Sequence, residues 1–112
     1  MIVIKSDKVI FFDIDETLVQ EHPNADITIS CEGYTTQVKV IQENFNRIIY
    51  HKARGQTIAV WSNSGYKWAA AVVLALGLTN EVDLVISKPW GYYDDLDSSK
   101  WLGSPRWGNK PR

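Results

Sequence analysis

The chain has 112 residues, 45% of them hydrophobic and 22% charged, with a formal net charge of −1. That balance suits one soluble globular domain and excludes a general electrostatic attraction to nucleic acid or anionic membrane, so a charged partner has to be met locally. The longest apolar run, WAAAVVLALGL at 68–78, is too short for the roughly 20 residues that span a bilayer. The opening MIVIKSDKVIFF is broken by charges and lacks a cleavage pattern, and Cys31 has no partner for a disulfide, so a cytoplasmic setting is the default.

KVIFFDIDETLVQ at 8–20 runs an apolar stretch into Asp13, Asp15, Glu16 and Thr17. The stretch lacks strict alternation and is rich in β-formers, which predicts a central parallel strand covered on both faces and ending near Asp13. Two carboxylates at its end repel each other unless a cation or a reaction requires them there. At 27–40, Ile27, Ile29 and Cys31 alternate with polar residues, EG offers a turn, and Val38 and Val40 alternate again, which predicts an exposed hairpin. IQENFNRIIYHKARG at 41–55 sets Ile41, Phe45, Ile48 and Ile49 on one helical face and stops at Gly55.

QTIAVWSNSG at 56–65 repeats the design of the first strand, an apolar run delivered into small polar residues. SNSG can cap a helix over YKWAAAVVLALG, which ends at Gly77. VDLVISKP at 82–89 is a third apolar run, closed by Ser87, Lys88 and Pro89, and GYYDDLD at 91–97 is a weaker fourth. Strand and helix alternate as in an α/β parallel sheet, whose ligands bind outside the carboxyl ends of the strands.

Those ends carry Asp13, Asp15 and Thr17, then Ser62 and Asn63, then Lys88, then Asp94 and Asp95. Carboxylates and carbonyl oxygens suit a hard cation such as Mg²⁺, which commonly shares its site with phosphates. Lysine, hydroxyl and amide donors at Thr17, Ser62, Asn63 and Lys88 suit the remaining phosphoryl oxygens. One carboxylate could then attack phosphorus while another moves the proton.

DIDET resembles the D-x-D-x-T first motif of the haloacid dehalogenase (HAD) superfamily. WSNSG resembles the second motif of that superfamily, SKP the third and YYDD the acidic-pair form of the fourth, in the family's order from Val9 to Asp95. The resemblance implies that Asp13 is the nucleophile that becomes an aspartyl-phosphate, and that Asp15 is the general acid and then the base. It implies that Asp13, the Asp15 carbonyl and an acid of the Asp94–Asp95 pair hold Mg²⁺. Ser62 would hydrogen-bond the phosphoryl group, and Lys88 would neutralise charge. Family transport ATPases carry threonine where Asp15 stands and the dehalogenases lack this acid, so Asp15 favours a phosphatase or phosphomutase.

The gaps between motifs leave no room for a large cap domain. The fold implied is a single Rossmann-like three-layer α/β domain over 1–112, with a central, mostly parallel sheet and the 27–40 hairpin as a flap. An open site favours hydrolysis over mutase chemistry, because water reaches the phosphoenzyme. It admits small esters, phosphoproteins and nucleic-acid ends alike.

Trp61 and Trp68 read as core residues, and Trp90, beside Lys88, as a candidate lining of the substrate entrance. His22 and His51 read as surface residues. SSKWLGSPRWGNKPR at 98–112 interleaves Lys100, Arg106, Lys110 and Arg112 with Trp101 and Trp107, a pattern that can grip single-stranded nucleic acid. Against that stands docking of Trp101 and Leu102 on the sheet, with a frayed terminus at 103–112. Two other functions use the same residues. A receiver-type phosphoacceptor domain would carry its acceptor on a middle strand and its acidic pair on the first, an order this chain does not follow. A non-catalytic binding module of HAD fold is the other.

Overall fold

VIFFD forms β1 (Val9–Asp13) and TIAVWS forms β5 (Thr57–Ser62), joined in parallel from Val9↔Thr57 to Asp13↔Trp61. LVIS forms β6 (Leu84–Ser87), parallel to β5 on its other side, so the strand order is β1-β5-β6. This computed structural model describes residues 1–25 and 27–102; Arg106, Trp107, Lys110 and Arg112 of the basic, aromatic tail lie outside them. The chain is an α/β domain whose main sheet has three parallel strands and whose helices number two among the described residues.

The crossovers are α1 (Gln42–Ala53) and α2 (Tyr66–Ala75). Two right-handed crossovers stepping in the same direction lay both helices on one face of the sheet. The packing agrees. Phe12 meets the His51 ring of α1, and Phe12, Ile58 and Val60 share one buried cluster with Ile48 of α1 and with Ala69, Val72 and Val73 of α2. Phe11 and Trp61 point to the other face, where their rings stack at 4.3 Å and Val9 and Phe11 each remain 38% exposed. The described residues therefore build two layers on this sheet, where three were expected. Residues 88–97, which follow β6, contain no helix or strand. The fourth strand expected at 91–97 is absent; a short 3₁₀ turn (Ser98–Lys100) follows, with Trp101 and Leu102 more than half exposed rather than docked.

The hairpin forms as β3 (Ile27–Cys31) and β4 (Tyr34–Val40) around a two-residue turn, Glu32 and Gly33, both at positive φ, as tight hairpins require. A strand not anticipated, β2 (Val19–Glu21), pairs with β4 to make a second, antiparallel sheet of order β2-β4-β3. The hairpin is not an exposed appendage. Its alternation turns Ile29 and Val38 into the main core, and β3 lies against α2. The buried face of α1 runs through Asn44 and Ile48, following the buried Ile41 that precedes the helix, while Ile49 stays exposed, one residue being about 100° round a helix.

Asp83 ties the amino ends of the main sheet together. Its carboxylate accepts the Ile58 N–H at 2.9 Å and the Lys52 ammonium at 2.7 Å. Partial burial pushes its carboxyl upward, but the Lys52 and Ile58 hydrogen bonds outweigh burial and hold it below the usual carboxylate range. A carboxyl depressed on folding adds stability at pH values above its unfolded pKa, about 3.9, and that stability is lost as pH falls through the lower folded value. The melting-temperature gap between the parent and Asp83→Asn is therefore expected to be full near pH 6 and to narrow below pH 4. A gap that widened on acidification would contradict this.

Candidate active site

The three parallel strands end level with one another, with Ser62 opposite Ser87, so the residues that follow each strand meet at one edge of the sheet. Asp13 closes β1, and the Lys88 ammonium, one residue past β6, lies 3.3 Å from its Oδ1. The pair spans the width of the sheet, over β5, and is 34% and 30% exposed, which leaves both groups reachable from solvent. Neither Asp13 Oδ2 nor the Asp15 carbonyl has a hydrogen-bond partner among the described residues.

Between these strands the chain from Ser62 to Tyr66 folds as a tight shelf. Ser62 is 1% exposed. Its Oγ accepts the Ser64 N–H at 3.0 Å, and its carbonyl accepts the Gly65 and Lys88 N–H groups, which fixes Lys88 to the shelf through the backbone. Gly65 has φ of +100°, a conformation that side chains oppose. Helix α2 has no cap from its own preceding residues. Ser87 supplies one from β6, its Oγ accepting the Tyr66 N–H at 2.9 Å. SNSG thus does not cap the helix in the expected way, because its two serines are engaged elsewhere.

Ser64 is engaged with Asp15. Its hydroxyl donates to Asp15 Oδ2 at 3.4 Å, and the Trp68 indole N–H donates to Asp15 Oδ1 at 3.0 Å. Trp68 is therefore not purely a core residue; its body packs against the core while its N–H reaches the site. The loop that carries Asp15 turns back sharply, with Glu16 at φ +66° and the Thr17, Leu18 and Val19 N–H groups converging on the Ile14 carbonyl. Asn44 of α1, buried and braced by Arg47, donates to the Thr17 carbonyl at 3.0 Å and holds this turn in place. A polar residue on the apolar face of α1 was the only signal of that role. The Thr17 hydroxyl and the Asn63 amide make no hydrogen bond to the described residues.

The acidic segment is not gathered in. Asp94 and Asp95 are exposed, and Asp94 Oδ1 accepts the Leu96 N–H at 3.0 Å, an Asx turn. The Ser99 hydroxyl and N–H donate to Asp97 and hold its carboxyl below the usual range, so Asp97 serves as a turn cap. Trp90 is 104% exposed and touches no wall. Among the described residues no three of His, Cys, Asp and Glu come together as a metal cluster. A concavity of about 620 Å³ lined by Lys5, Lys8 and Arg54 lies at the opposite end of β1 from Asp13. His22 and His51 are half-buried, each with a local hydrogen bond, to Asn24 and Gln56 respectively.

At the hairpin tip, Glu32 pairs with Lys67 of α2 at 2.9 Å, and that hydrogen bond raises the Lys67 pKa. Such an exposed pair contributes little to stability, but it fastens the hairpin to the turn of α2 that carries Trp68. No helix among the described residues is long and apolar enough to cross a membrane. Compared with known protein families, with characterised proteins and with solved structures, the chain matches none.

Proposed function

We propose that the protein is a Mg²⁺-dependent phosphatase of HAD type, Rossmann-like in its parallel core, that hydrolyses phosphate monoesters through an aspartyl-phosphate on Asp13. The observation that carries this reading is the Asp13–Lys88 pair at 3.3 Å, assembled from the first and last strands beside Asp15 and the Ser62 shelf. A carboxylate oxygen of Asp13 attacks phosphorus as the ester oxygen departs, and Asp15 gives that oxygen a proton. Water then attacks the aspartyl-phosphate, Asp15 takes a proton from it, and phosphate leaves with Asp13 restored.

Lys88 offsets the charge that Asp13 and the phosphoryl oxygens bring together. Ser62 accepts one hydrogen bond and keeps its own hydrogen free to donate to a phosphoryl oxygen. The free Asp13 oxygen and the Asp15 carbonyl are hard oxygen donors of the kind Mg²⁺ takes, and Asp94 or Asp95 would complete the set. When bound, Mg²⁺ would neutralise phosphoryl charge. A receiver-type reading is disfavoured by the strand order, because the middle strand β5 ends in Ser62 rather than in a phosphoacceptor aspartate.

Hydrolysis of an aryl phosphate, measured with Mg²⁺ and again with excess chelator, tests the proposal. Turnover that needs Mg²⁺ is the expected result. Turnover unchanged by chelation would overturn the Mg²⁺ dependence and with it the proposal, and no turnover by the folded protein across aryl, sugar and nucleotide esters would overturn it and leave the binding-module reading.

A further inference from the structure

Resting on the phosphatase reading, we propose that Trp68 is a positioning residue that decides which oxygen of Asp15 carries the proton. Asp15 is exposed, and an exposed carboxylate ordinarily rotates freely. Here both of its oxygens are addressed from the start of α2, Oδ1 by the Trp68 indole N–H at 3.0 Å and Oδ2 by the Ser64 hydroxyl at 3.4 Å. These two partners differ in kind. An indole N–H can only donate, whereas a hydroxyl can donate or accept.

A proton on Oδ1 would set an O–H against an N–H, with no acceptor between them. A proton on Oδ2 meets a hydroxyl that can rotate to accept it, at a long distance that an incoming leaving-group oxygen or water can take over. The geometry therefore makes Oδ2 the oxygen that donates to the leaving group and later receives the proton of the attacking water. Trp68 suits the task because its own place is secured three ways: its body packs on the core, Ser87 caps the helix from which it projects, and the neighbouring Lys67 is tied to Glu32 of the hairpin.

Trp68→Phe keeps the ring packing and removes the N–H. A merely structural role would lower the activity on every ester alike. Positioning of the acid predicts a split by leaving group, because an alkyl ester needs its departing oxygen protonated and a nitrophenyl ester hardly does. The kcat/KM for an alkyl phosphate is expected to fall about 10-fold or more, with that for p-nitrophenyl phosphate changing by less than about 3-fold. In an Asp15→Asn background the same substitution should have no further effect, since its target is gone.

A second readout is independent of catalysis. The indole N–H resonance of Trp68, identified by its disappearance in Trp68→Phe, should move in Asp15→Ala. An unmoved resonance, or equal losses on both esters in a parent that is active, would overturn the positioning role. Lack of any phosphatase activity in the parent would overturn the phosphatase reading and the proposal with it, while the resonance would still report whether the contact exists.

Discussion

Asp13→Asn is expected to reduce Mg²⁺-dependent turnover of an aryl phosphate by on the order of 10⁴-fold or more, and to leave the melting temperature within about 5 °C of the parent. The first half follows from the chemistry. An amide oxygen cannot form the aspartyl-phosphate, and the neutral side chain also gives up the charge that draws Lys88 and a divalent cation to the strand end. The second half follows from exposure. Asp13 and Lys88 are each about one-third exposed, and ion pairs in that setting contribute at most about 1 kcal/mol. Asparagine has nearly the same shape, and its neighbours in the core, Phe12 and Ile14, are untouched. Steady-state kinetics beside a thermal melt checks both halves. Loss of activity accompanied by unfolding would mean that Asp13 holds the strand end together, and retained activity would remove it as the nucleophile.

How much of this was legible from the residues depends on the range of the interactions involved. The parallel strands were readable because an apolar run that stops at Asp13, Ser62 or Ser87 is a local signal. The helices were readable because period and terminal glycine are local as well. Strand β2 was not, since its three residues carry no pattern of their own and exist as a strand only through Val40, Lys39 and Val38 of β4. The sequence puts Ile49 on the buried face of α1, and not Asn44, for a related reason. Ile49 is apolar but lies off the packed face, and Asn44 is polar but has the Thr17 carbonyl to satisfy it.

Within the site, the acids and the lysine were legible as residue types at strand ends. Their partners were not: Trp68 reaches Asp15 across 53 positions of sequence, and Ser87 caps a helix that begins 21 residues earlier. The expected third layer came from reading VIFF as a strand buried on both faces. In the described structure β1 is an edge strand with Phe11 38% exposed, so the apolar character of that face is met by the Trp61 ring rather than by a helix.

Lys88→Met is the second substitution expected to have a large effect. It keeps an unbranched chain of similar length and removes the ammonium, so the apolar stem still lies along the strand end while the charge disappears. Turnover is expected to fall by roughly 10²–10³-fold, the loss seen when one preorganised donor to a developing oxyanion is taken from an active site. The backbone argues that the loss is chemical rather than structural. Lys88 is held by its own N–H on the Ser62 carbonyl at 3.0 Å, a bond that methionine keeps, so the Ser62 shelf and the Ser87 cap on α2 should persist. The effect should fall on kcat more than on KM, because the ammonium already balances the Asp13 charge before substrate arrives and is most needed when the phosphoryl group is in transfer. Lys88→Arg separates charge from shape. A guanidinium restores the charge with a planar, bulkier head that does not superpose on a point-like ammonium 3.3 Å from Asp13, so only partial recovery is expected. Full recovery with arginine would reduce the role of Lys88 to long-range electrostatics, and unchanged turnover in Lys88→Met would remove it from the chemistry.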